Sequence, residues 1–407
     1  MSETIIIIGA GQAAAQAVQS LRAEGFSGAV RLIGDEPYAP YQRPPLSKKF
    51  LAGEIEYDRL LLKPENFYSD AKVETLWGIR VTEIDRKTRR VLTSDGQSFD
   101  YTKLLIATGT RVREINVPGF DLEGVHYLRS IDDVLGLQSG LTPGAKLVIV
   151  GGGYIGLEVA AVAKKRGLDV TVLEAADRVM ARVVDPTVSR FYERIHAEEG
   201  VKIRTGVTVA GFEGKGHINA VSSADGERFA CDFALVGIGV IPNVELAMEA
   251  GLQVENGIVV DELTRTSDPD ICAAGDCTSH PNGIYGRRLR LESVHNAIEQ
   301  GKTAAATLTG KEKPYNQAPW FWSDQYALKL QIVGMSAGYT KAVTRGNPET
   351  GRSFAVYYLK DGVLVAVDAI NRPGEFMTSK ALIARGARLE PARIADETIH
   401  VKEIATA

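Results

Sequence analysis

Two segments of this 407-residue chain follow one pattern: a short aliphatic run, a glycine-rich turn and an alanine-rich helical stretch. The first has isoleucines at 5–8 and Gly-Ala-Gly-Gln-Ala-Ala at 9–14; the second has Leu-Val-Ile-Val at 147–150 and Gly-Gly-Gly-Tyr-Ile-Gly at 151–156. Continuous apolar strands that alternate with helices are typical of parallel sheets covered on both faces. We therefore predict an α/β protein with two Rossmann-like dinucleotide-binding domains.

Each glycine-rich turn lies directly after a strand and at the start of a helix, as a pyrophosphate-binding turn must. Glycine permits the tight turn and lets backbone amides and the helix N-terminus approach the anion. The last glycine position needs only a small residue, and the first copy has alanine there. The alternative interpretation is a turn of the same shape that binds no ligand. The residues predicted to line the turns are Gly9, Gly11 and Ala14 in the first copy, and Gly151, Gly153, Tyr154, Ile155 and Gly156 in the second.

An acidic residue ends the second strand of each pattern, about 20 residues beyond the turn. Asp35 and Glu174 are placed to accept hydrogen bonds from an adenosine ribose, although solvated carboxylates at strand ends would give the same pattern. A 2′-phosphate would be repelled by Glu174 and would need a nearby arginine, whereas Arg178 and Arg182 lie farther along the chain. The second copy therefore favours NADH over NADPH.

The glycines alone do not decide which copy binds which nucleotide, but two later segments carry further information. Residues 104–109 form a strand that enters a turn of small residues, and a strand near 271–275 delivers Asp276 to a loop. From about residue 325 the pattern changes, because residues 354–370 contain two strands around Lys-Asp-Gly, a strong hairpin signal. A helical stretch at 375–385 follows, which predicts a third, smaller α+β domain.

Charge and cysteine content exclude several classes of function. The chain has 47 basic and 51 acidic residues, and its net charge of −4 gives no overall electrostatic field that would attract nucleic acid or an anionic membrane. The three cysteines make no Cys-x-x-Cys pair, so we expect neither a disulfide framework nor a metal site, and a reducing cytoplasm fits. The isoleucine run at 5–8 is too short for a signal peptide, and glycines interrupt the longest apolar stretch at 147–163. We predict a soluble, cytoplasmic protein.

With these motifs, the chain resembles the flavoprotein reductases of the glutathione-reductase fold, which bind two dinucleotides. The resemblance implies that the first unit binds FAD, the second binds NADH, and Asp276 meets the ribityl chain of the flavin. Arg-Pro-Pro-Leu-Ser-Lys at 43–48 and Trp-Phe-Trp-Ser-Asp-Gln at 320–325 narrow the match. Both segments are similar to those of the ferredoxin reductases that serve ring-hydroxylating dioxygenases and bacterial haem-thiolate monooxygenases.

The resemblance also implies the positions that contact the cofactors. Lys48 would lie near the flavin and pair with Glu158, as the catalytic pair, because a buried lysine and glutamate are costly unless they satisfy each other. Trp320 and Trp322 would pack near the exposed side of the flavin, although tryptophans are also ordinary core residues. The positions implied to contact a cofactor also include Ala13, Asp35, Arg43, Val81, Ala107, Thr108, Gly109, Arg129, Gly239, Gly275, Asp276, Ser293, Val294 and Trp322.

Domain boundaries follow from the same comparison. We predict a discontinuous FAD-binding domain at 1–112 and 243–322, an NADH-binding domain at 113–242 and a C-terminal domain at 323–407. Relatives that reduce disulfides have a redox cysteine pair after the second strand of the FAD domain, whereas residues 37–50 contain no cysteine. The electrons are therefore expected to leave for a protein carrier.

The predicted function is transfer of electrons from NADH through FAD to a [2Fe-2S] ferredoxin that feeds a haem-thiolate monooxygenase or a ring-hydroxylating dioxygenase. Two alternatives share the motifs: an NADH:rubredoxin reductase, and a redox signalling flavoprotein like the apoptosis-inducing factors. Residues 285–345 have nine basic and four acidic residues, so a face that includes Arg287, Arg288 and Arg290 is predicted to steer an acidic ferredoxin. A merely solvated face is the alternative.

Overall fold

The computed structural model describes residues 3–405 and groups the chain into two compact units. The first unit takes the chain up to Gln42 together with Tyr57–Arg111 and Ile241–Pro319. The second takes Arg43–Glu56, Val112–Val240 and the chain from Trp320 onwards. The predicted segment 43–48 thus groups with the second unit, and the division into three domains stays a prediction.

The first unit is built on a five-stranded parallel sheet. Its strands lie in the order Ile271–Ala273, Lys103–Ile106, Thr4–Ile8, Ala29–Gly34 and Val73–Trp77. Helices Gln12–Ala23 and Val294–Leu308 pack together closely because Gly301 lacks a side chain; a Cβ there would come within 2.6 Å of the Ala13 carbonyl oxygen. The smaller elements are strands Val81–Asp85, Arg90–Thr93, Ser98–Asp100, Ile258–Val259, Thr278–Asn282 and Arg287–Leu289, and helices Tyr57–Arg59, Phe67–Asp70 and Glu245–Glu249.

The second unit contains another five-stranded parallel sheet. Its strands lie in the order Lys202–Thr205, Asp169–Glu174, Lys146–Val150, Phe233–Val236 and Val125–His126. Its helices are Pro44–Ser47, Ile131–Gln138, Tyr154–Lys165 and Pro186–Glu198, and a three-stranded antiparallel sheet consists of Val209–Lys215, His217–Ser223 and Arg228–Ala230. Strands Thr110–Val112 and Val240–Pro242 carry the chain from one unit to the other. The two parallel sheets confirm the predicted α/β fold class.

The C-terminal part of the second unit is a five-stranded antiparallel sheet in the order Trp320–Gln325, Leu328–Gly334, Val363–Ile370, Phe354–Lys360 and Lys341–Gly346. Asp361 and Gly362 both have positive φ, as a two-residue hairpin turn requires, so the predicted hairpin forms. The predicted helix near 375–385 is Pro373–Ala384, followed by short helices Pro391–Ala395 and Val401–Glu403. Within residues 3–405, no helix is both long and apolar enough to cross a membrane.

A buried carboxyl group lies at the centre of this C-terminal sheet. The side chain of Asp368 is 1% exposed, and its Oδ2 accepts a hydrogen bond of 2.5 Å from the Tyr358 hydroxyl. The Tyr358 oxygen accepts a hydrogen bond of 3.1 Å from the amide of Asp185, whose carboxylate caps helix Pro186–Glu198. Burial raises the pKa of Asp368 to about 7, because removal from water penalises the anion more than this one hydroxyl stabilises it.

This pKa predicts a pH dependence of stability that the variant Asp368→Asn should lack. An unfolded aspartate, near 3.8, releases its proton at lower pH than folded Asp368, so the folded state binds more protons between pH 4 and pH 7. The contribution of Asp368 is therefore largest at acid pH and is lost as the pH rises through about 7. Between pH 5 and pH 8 we expect the parent to lose roughly 2 kcal/mol more stability than the variant, as urea unfolding would measure. Equal losses in both proteins would contradict this account.

Candidate functional site

The first glycine-rich turn is shaped by a close approach of two backbone segments. Gly9 has a φ of +101°, and a Cβ there would come within 2.3 Å of the carbonyl oxygen of Ala107, so only glycine fits. Helix Gln12–Ala23 follows, with Gly11 at its N-cap and therefore no side chain to cap it. A Cβ on Gly11 would meet no atom of the described residues within 4 Å. The amides of the first helical turn have no carbonyl partner within the helix, which suits them to an anion.

Other predicted residues of the first unit surround this turn. The turn 107–109 supplies the carbonyl that meets Gly9, and Gly275, with a φ of +89°, would place a Cβ 3.3 Å from the Ala13 methyl. Half-buried Asp276 follows Gly275 and therefore lies beside the first turn. Ser293 caps helix Val294–Leu308 by accepting a hydrogen bond from the Asn296 amide. The geometry fits a pyrophosphate and an adjoining polyol chain.

Two predicted positions of the first unit have other surroundings. Asp35 follows strand Ala29–Gly34 directly, is exposed, and forms an ion pair of 3.1 Å with Arg80. Val81 begins the neighbouring antiparallel sheet and is 8% exposed. An exposed ion pair is weak, so Asp35 stays available to a ribose hydroxyl.

The second turn repeats the construction of the first. Gly151 has a φ of +108°, and a Cβ there would come within 2.4 Å of the carbonyl oxygen of Gly237. Helix Tyr154–Lys165 begins after Gly153, where a Cβ would again meet no described atom within 4 Å. A Cβ on Gly156 would lie 2.2 Å from the Gly151 carbonyl oxygen, so this glycine lets the helix pack against the turn. Exposed Ile155 belongs to the first helical turn.

The Glu174 carboxylate is held against the second turn. Its Oε2 accepts a hydrogen bond of 2.7 Å from the Gly152 amide, and its Oε1 accepts one of 2.8 Å from the Ala176 amide. Arg178 Nη2 donates a hydrogen bond of 3.0 Å to the Ala181 carbonyl oxygen. Arg182 is exposed, with its Nη2 3.8 Å from the Cβ position of Gly239. A carboxylate, and not a guanidinium, is therefore the charged group fixed at the turn.

Lys48 and Glu158 form the predicted ion pair, with Lys48 Nζ 2.6 Å from Glu158 Oε2. Glu158 lies on helix Tyr154–Lys165 and is 2% exposed, and Lys48 follows helix Pro44–Ser47. Two hydroxyls complete the site: Ser47 donates to Oε2 at 2.5 Å and Ser323 donates to Oε1 at 2.6 Å. Burial raises the pKa of Glu158 above its usual range, while Lys48 and the two serines oppose the rise. Neither serine was predicted from the sequence, although each lies in one of the two motif segments.

Further predicted residues of the second unit take part in two separate contacts. Arg43 Nη1 donates a hydrogen bond of 2.6 Å to the Arg129 carbonyl oxygen. Half-buried Trp322 packs with Trp320, whose ring centroid is 5.7 Å away. Lys380 Nζ lies 4.3 Å from the Trp320 ring centroid, so Trp320 also contacts helix Pro373–Ala384. Lys48, Arg43, Arg129 and Trp322 belong to the second unit, whereas Asp35, Val81, Asp276 and Val294 belong to the first. Their joint contact with one FAD stays a prediction.

The basic segment 285–345 does not form a uniform face. Arg287 is exposed, but Arg290 is paired with Glu292 at 2.5 Å, and Arg288 donates a hydrogen bond of 2.7 Å to the Val260 carbonyl oxygen. Arg345 is 4% exposed because its guanidinium donates hydrogen bonds to the carbonyl oxygens of Ile394 and Ile399, so its charge is not part of an exposed surface. The sequence count therefore overstates the exposed positive charge.

The cysteine side chains are all buried and unpaired. Burial raises the pKa of the Cys231 and Cys272 thiols to about 12, and it raises that of Cys277 as well. These thiols are therefore inert at neutral pH. Among the described residues, no group of three or more potential ligands is placed to hold a metal ion.

Comparison with known proteins gives matches over the full chain. Residues 3–301 match the pyridine nucleotide-disulphide oxidoreductase family, and residues 320–405 match the reductase C-terminal family. The chain is 43% identical to putidaredoxin reductase of Pseudomonas putida, over 100% of this chain and 97% of that protein. It is 43% identical to rhodocoxin reductase of Rhodococcus erythropolis, over 98% and 93%. It is 41% identical to rubredoxin-NAD(+) reductase of Pseudomonas putida, over 91% and 96%.

Solved structures agree with these matches. The reductase in the covalent putidaredoxin reductase–putidaredoxin complex superposes with a TM-score of 0.97 at 43% identity, covering 100% of this chain and 99% of that one. The ferredoxin reductase for the CYP199A2 system of Rhodopseudomonas palustris gives a TM-score of 0.95 at 40% identity, over 99% and 100%. This chain therefore belongs to the pyridine nucleotide-disulphide oxidoreductase family, among its ferredoxin reductases.

Proposed function

We propose that this chain is an NADH-dependent ferredoxin reductase, which passes electrons from NADH through FAD to a [2Fe-2S] ferredoxin. The full-length likeness to a reductase solved together with putidaredoxin carries the proposal. The ferredoxin would in turn supply a haem-thiolate monooxygenase or a ring-hydroxylating dioxygenase. The three free, buried cysteines suit a cytoplasmic location.

In this proposal the first glycine-rich turn binds FAD and the second binds NADH. Bound FAD supplies hydride acceptance and release of single electrons. Gly9 and Gly11 leave amides and a helix N-terminus to hold the FAD pyrophosphate, and half-buried Asp276 would accept hydrogen bonds from the ribityl hydroxyls. The second turn holds the NADH pyrophosphate, with the fixed carboxylate of Glu174 accepting from the adenosine ribose.

Lys48 is the residue that we assign to the flavin itself. Its ammonium group is held at 2.6 Å from the Glu158 carboxylate and at 3.2 Å from the Pro44 carbonyl oxygen, so its charge has a fixed place. A fixed positive charge beside the cofactor favours negative charge that develops during reduction. Inert thiols leave no route to a disulfide, so the electrons leave for an external acceptor.

The assignment of the two turns is tested by Gly11→Val and Gly153→Val. Both positions have extended backbone that valine adopts, and both have open space, so the protein stripped of FAD should keep its melting temperature. Because the added side chain occupies the place of a pyrophosphate, Gly11→Val should purify without FAD. Gly153→Val should keep FAD but show a KM for NADH raised about tenfold or more. Loss of FAD from Gly153→Val instead would reverse the assignment.

Glu174 predicts the choice of nicotinamide nucleotide. The parent should show a much higher kcat/KM with NADH than with NADPH, because the fixed carboxylate repels a 2′-phosphate. Glu174→Gln removes that repulsion and should lower the ratio of kcat/KM for NADH to kcat/KM for NADPH by about tenfold. Steady-state rates with both nucleotides measure this effect, and the FAD content of each protein is the control. Comparable kcat/KM values in the parent would refute the assignment.

The acceptor is tested by reduction of ferredoxin at different ionic strengths. Raising NaCl from about 0.05 M to about 0.5 M should slow reduction of an acidic [2Fe-2S] ferredoxin and leave reduction of a small neutral dye nearly unchanged. At one and the same NaCl concentration, Arg287→Glu should reduce ferredoxin more slowly than the parent does. Lys87→Glu, which changes another exposed residue of the first unit, is the matched control and should keep the rate of the parent. An equal response of ferredoxin and dye would remove the steering role of Arg287.

A rubredoxin is the second candidate acceptor, because the chain is 41% identical to a rubredoxin-NAD(+) reductase over 91% of its length. The same assay with a rubredoxin separates the two functions. Faster reduction of the rubredoxin than of every [2Fe-2S] ferredoxin tried would replace the proposal.

A further inference from the structure

A row of hydrogen bonds leads from Glu158 into the interior of the second unit. Glu158 Oε1 accepts from the Ser323 hydroxyl at 2.6 Å, and Ser323 Oγ lies 3.2 Å from the Gln325 Nε2. Gln325 Oε1 lies 2.9 Å from His196 Nε2, and His196 Nδ1 lies 3.0 Å from the Tyr326 hydroxyl. We call Ser323, Gln325, His196 and Tyr326 the Glu158 relay. It brings together strand Trp320–Gln325 and the last turn of helix Pro186–Glu198.

The relay is buried along most of its length. Ser323, Gln325 and His196 are each at most 1% exposed, and only Tyr326 reaches partial exposure. Ser323 and Gln325 lie two residues apart on one strand, so their side chains project from the same face. Burial lowers the pKa of His196, which favours the neutral ring. Buried polar groups need hydrogen-bond partners, which is one reason for these contacts. This need does not decide which group of each pair is the donor.

The ion pair with Lys48 holds Glu158 as a carboxylate, and this charge fixes the direction. An ionised carboxylate only accepts hydrogen bonds, so the Ser323 hydroxyl must donate to it. The Ser323 oxygen then accepts from the amide nitrogen of Gln325, which turns Gln325 Oε1 towards His196. A neutral His196 must therefore carry its proton on Nε2, and its Nδ1 accepts from the Tyr326 hydroxyl. Every donor in the relay points towards Glu158.

We infer that His196 is a positioning residue for Glu158: through Gln325 and Ser323 it orients the hydroxyl that holds the carboxylate opposite Lys48. This role rests on the proposed function, because it matters to the reaction only if Lys48 acts at the flavin. Without the Nε2 donor, the Gln325 amide is free to reverse and to offer its oxygen to the Ser323 hydroxyl. Glu158 then loses one of its three donors, and the place of the Lys48 ammonium is less well fixed.

A mutant cycle on the holoenzyme tests the inference. His196→Leu should lower the rate of flavin reduction by NADH, measured by stopped flow, about fivefold, with the apparent Kd for NADH unchanged. His196→Leu should not lower this rate further when Ser323→Ala is already present, because the hydrogen bond from Ser323 to Glu158 is then already absent. With Ser47→Ala it should keep its full effect, since Ser47 reaches Glu158 independently. His196→Gln, whose amide can replace the Nε2 donor, should retain most of the rate. Equal effects of His196→Leu in the Ser323→Ala and Ser47→Ala backgrounds would overturn the inference.

The tautomer of His196 gives a readout that is independent of turnover. In unaltered protein labelled with ¹⁵N-histidine, the signal that disappears in His196→Gln should show a proton on Nε2 and an unprotonated Nδ1. A proton on Nδ1 would overturn the inference, even if the His196→Leu protein failed to fold. Failure of NADH to reduce the flavin of the unaltered protein would instead contradict the proposed function, and the tautomer would still decide the direction of the relay.

Discussion

The two glycine-rich turns depend on one repeated close contact, in which a carbonyl oxygen from the end of a neighbouring strand meets the first glycine of the turn. A Cβ would lie 2.3 Å from the Ala107 oxygen at Gly9, and 2.4 Å from the Gly237 oxygen at Gly151. Both glycines have φ values near +100°, which other residues rarely adopt. The contact sends the chain sharply from strand to helix and leaves a helix N-terminus with no capping side chain. The backbone alone therefore shapes two turns that are suited to an anion.

The second organising feature is a buried anion. The Glu158 carboxylate is 2% exposed and would be strongly unfavourable without partners. Lys48, Ser47 and Ser323 come from two segments distant in sequence and converge on its two oxygens. The ion pair links the segment 43–56 to the helix of the second turn, and the Ser323 hydrogen bond links the C-terminal sheet to the same helix. The same residues therefore stabilise this unit and fix the Lys48 charge that we assign to the flavin.

Sequence reasoning could predict the parts that repeat a local pattern. The two turns, Glu174 at the second turn and the Asp361-Gly362 hairpin all follow from short-range rules of backbone geometry, and the structure has them. The pairing of Lys48 with Glu158 came from resemblance and is present. Ser47, Ser323, Gln325 and His196 were not predicted, because hydrogen bonds between residues 111 to 165 positions apart depend on packing that no local spacing encodes. The burial of Arg345, which removes it from the expected basic face, likewise depends on hydrogen bonds to Ile394 and Ile399, far along the chain.

In the proposed reaction, NADH delivers a pair of electrons to one FAD and a ferredoxin removes them singly. An anaerobic titration of the purified protein with NADH, followed by oxidised [2Fe-2S] ferredoxin, measures both steps. We expect complete bleaching of the flavin by one NADH per chain and its full recovery on addition of two ferredoxins. A flavin that NADH bleaches but that ferredoxin leaves reduced would contradict it.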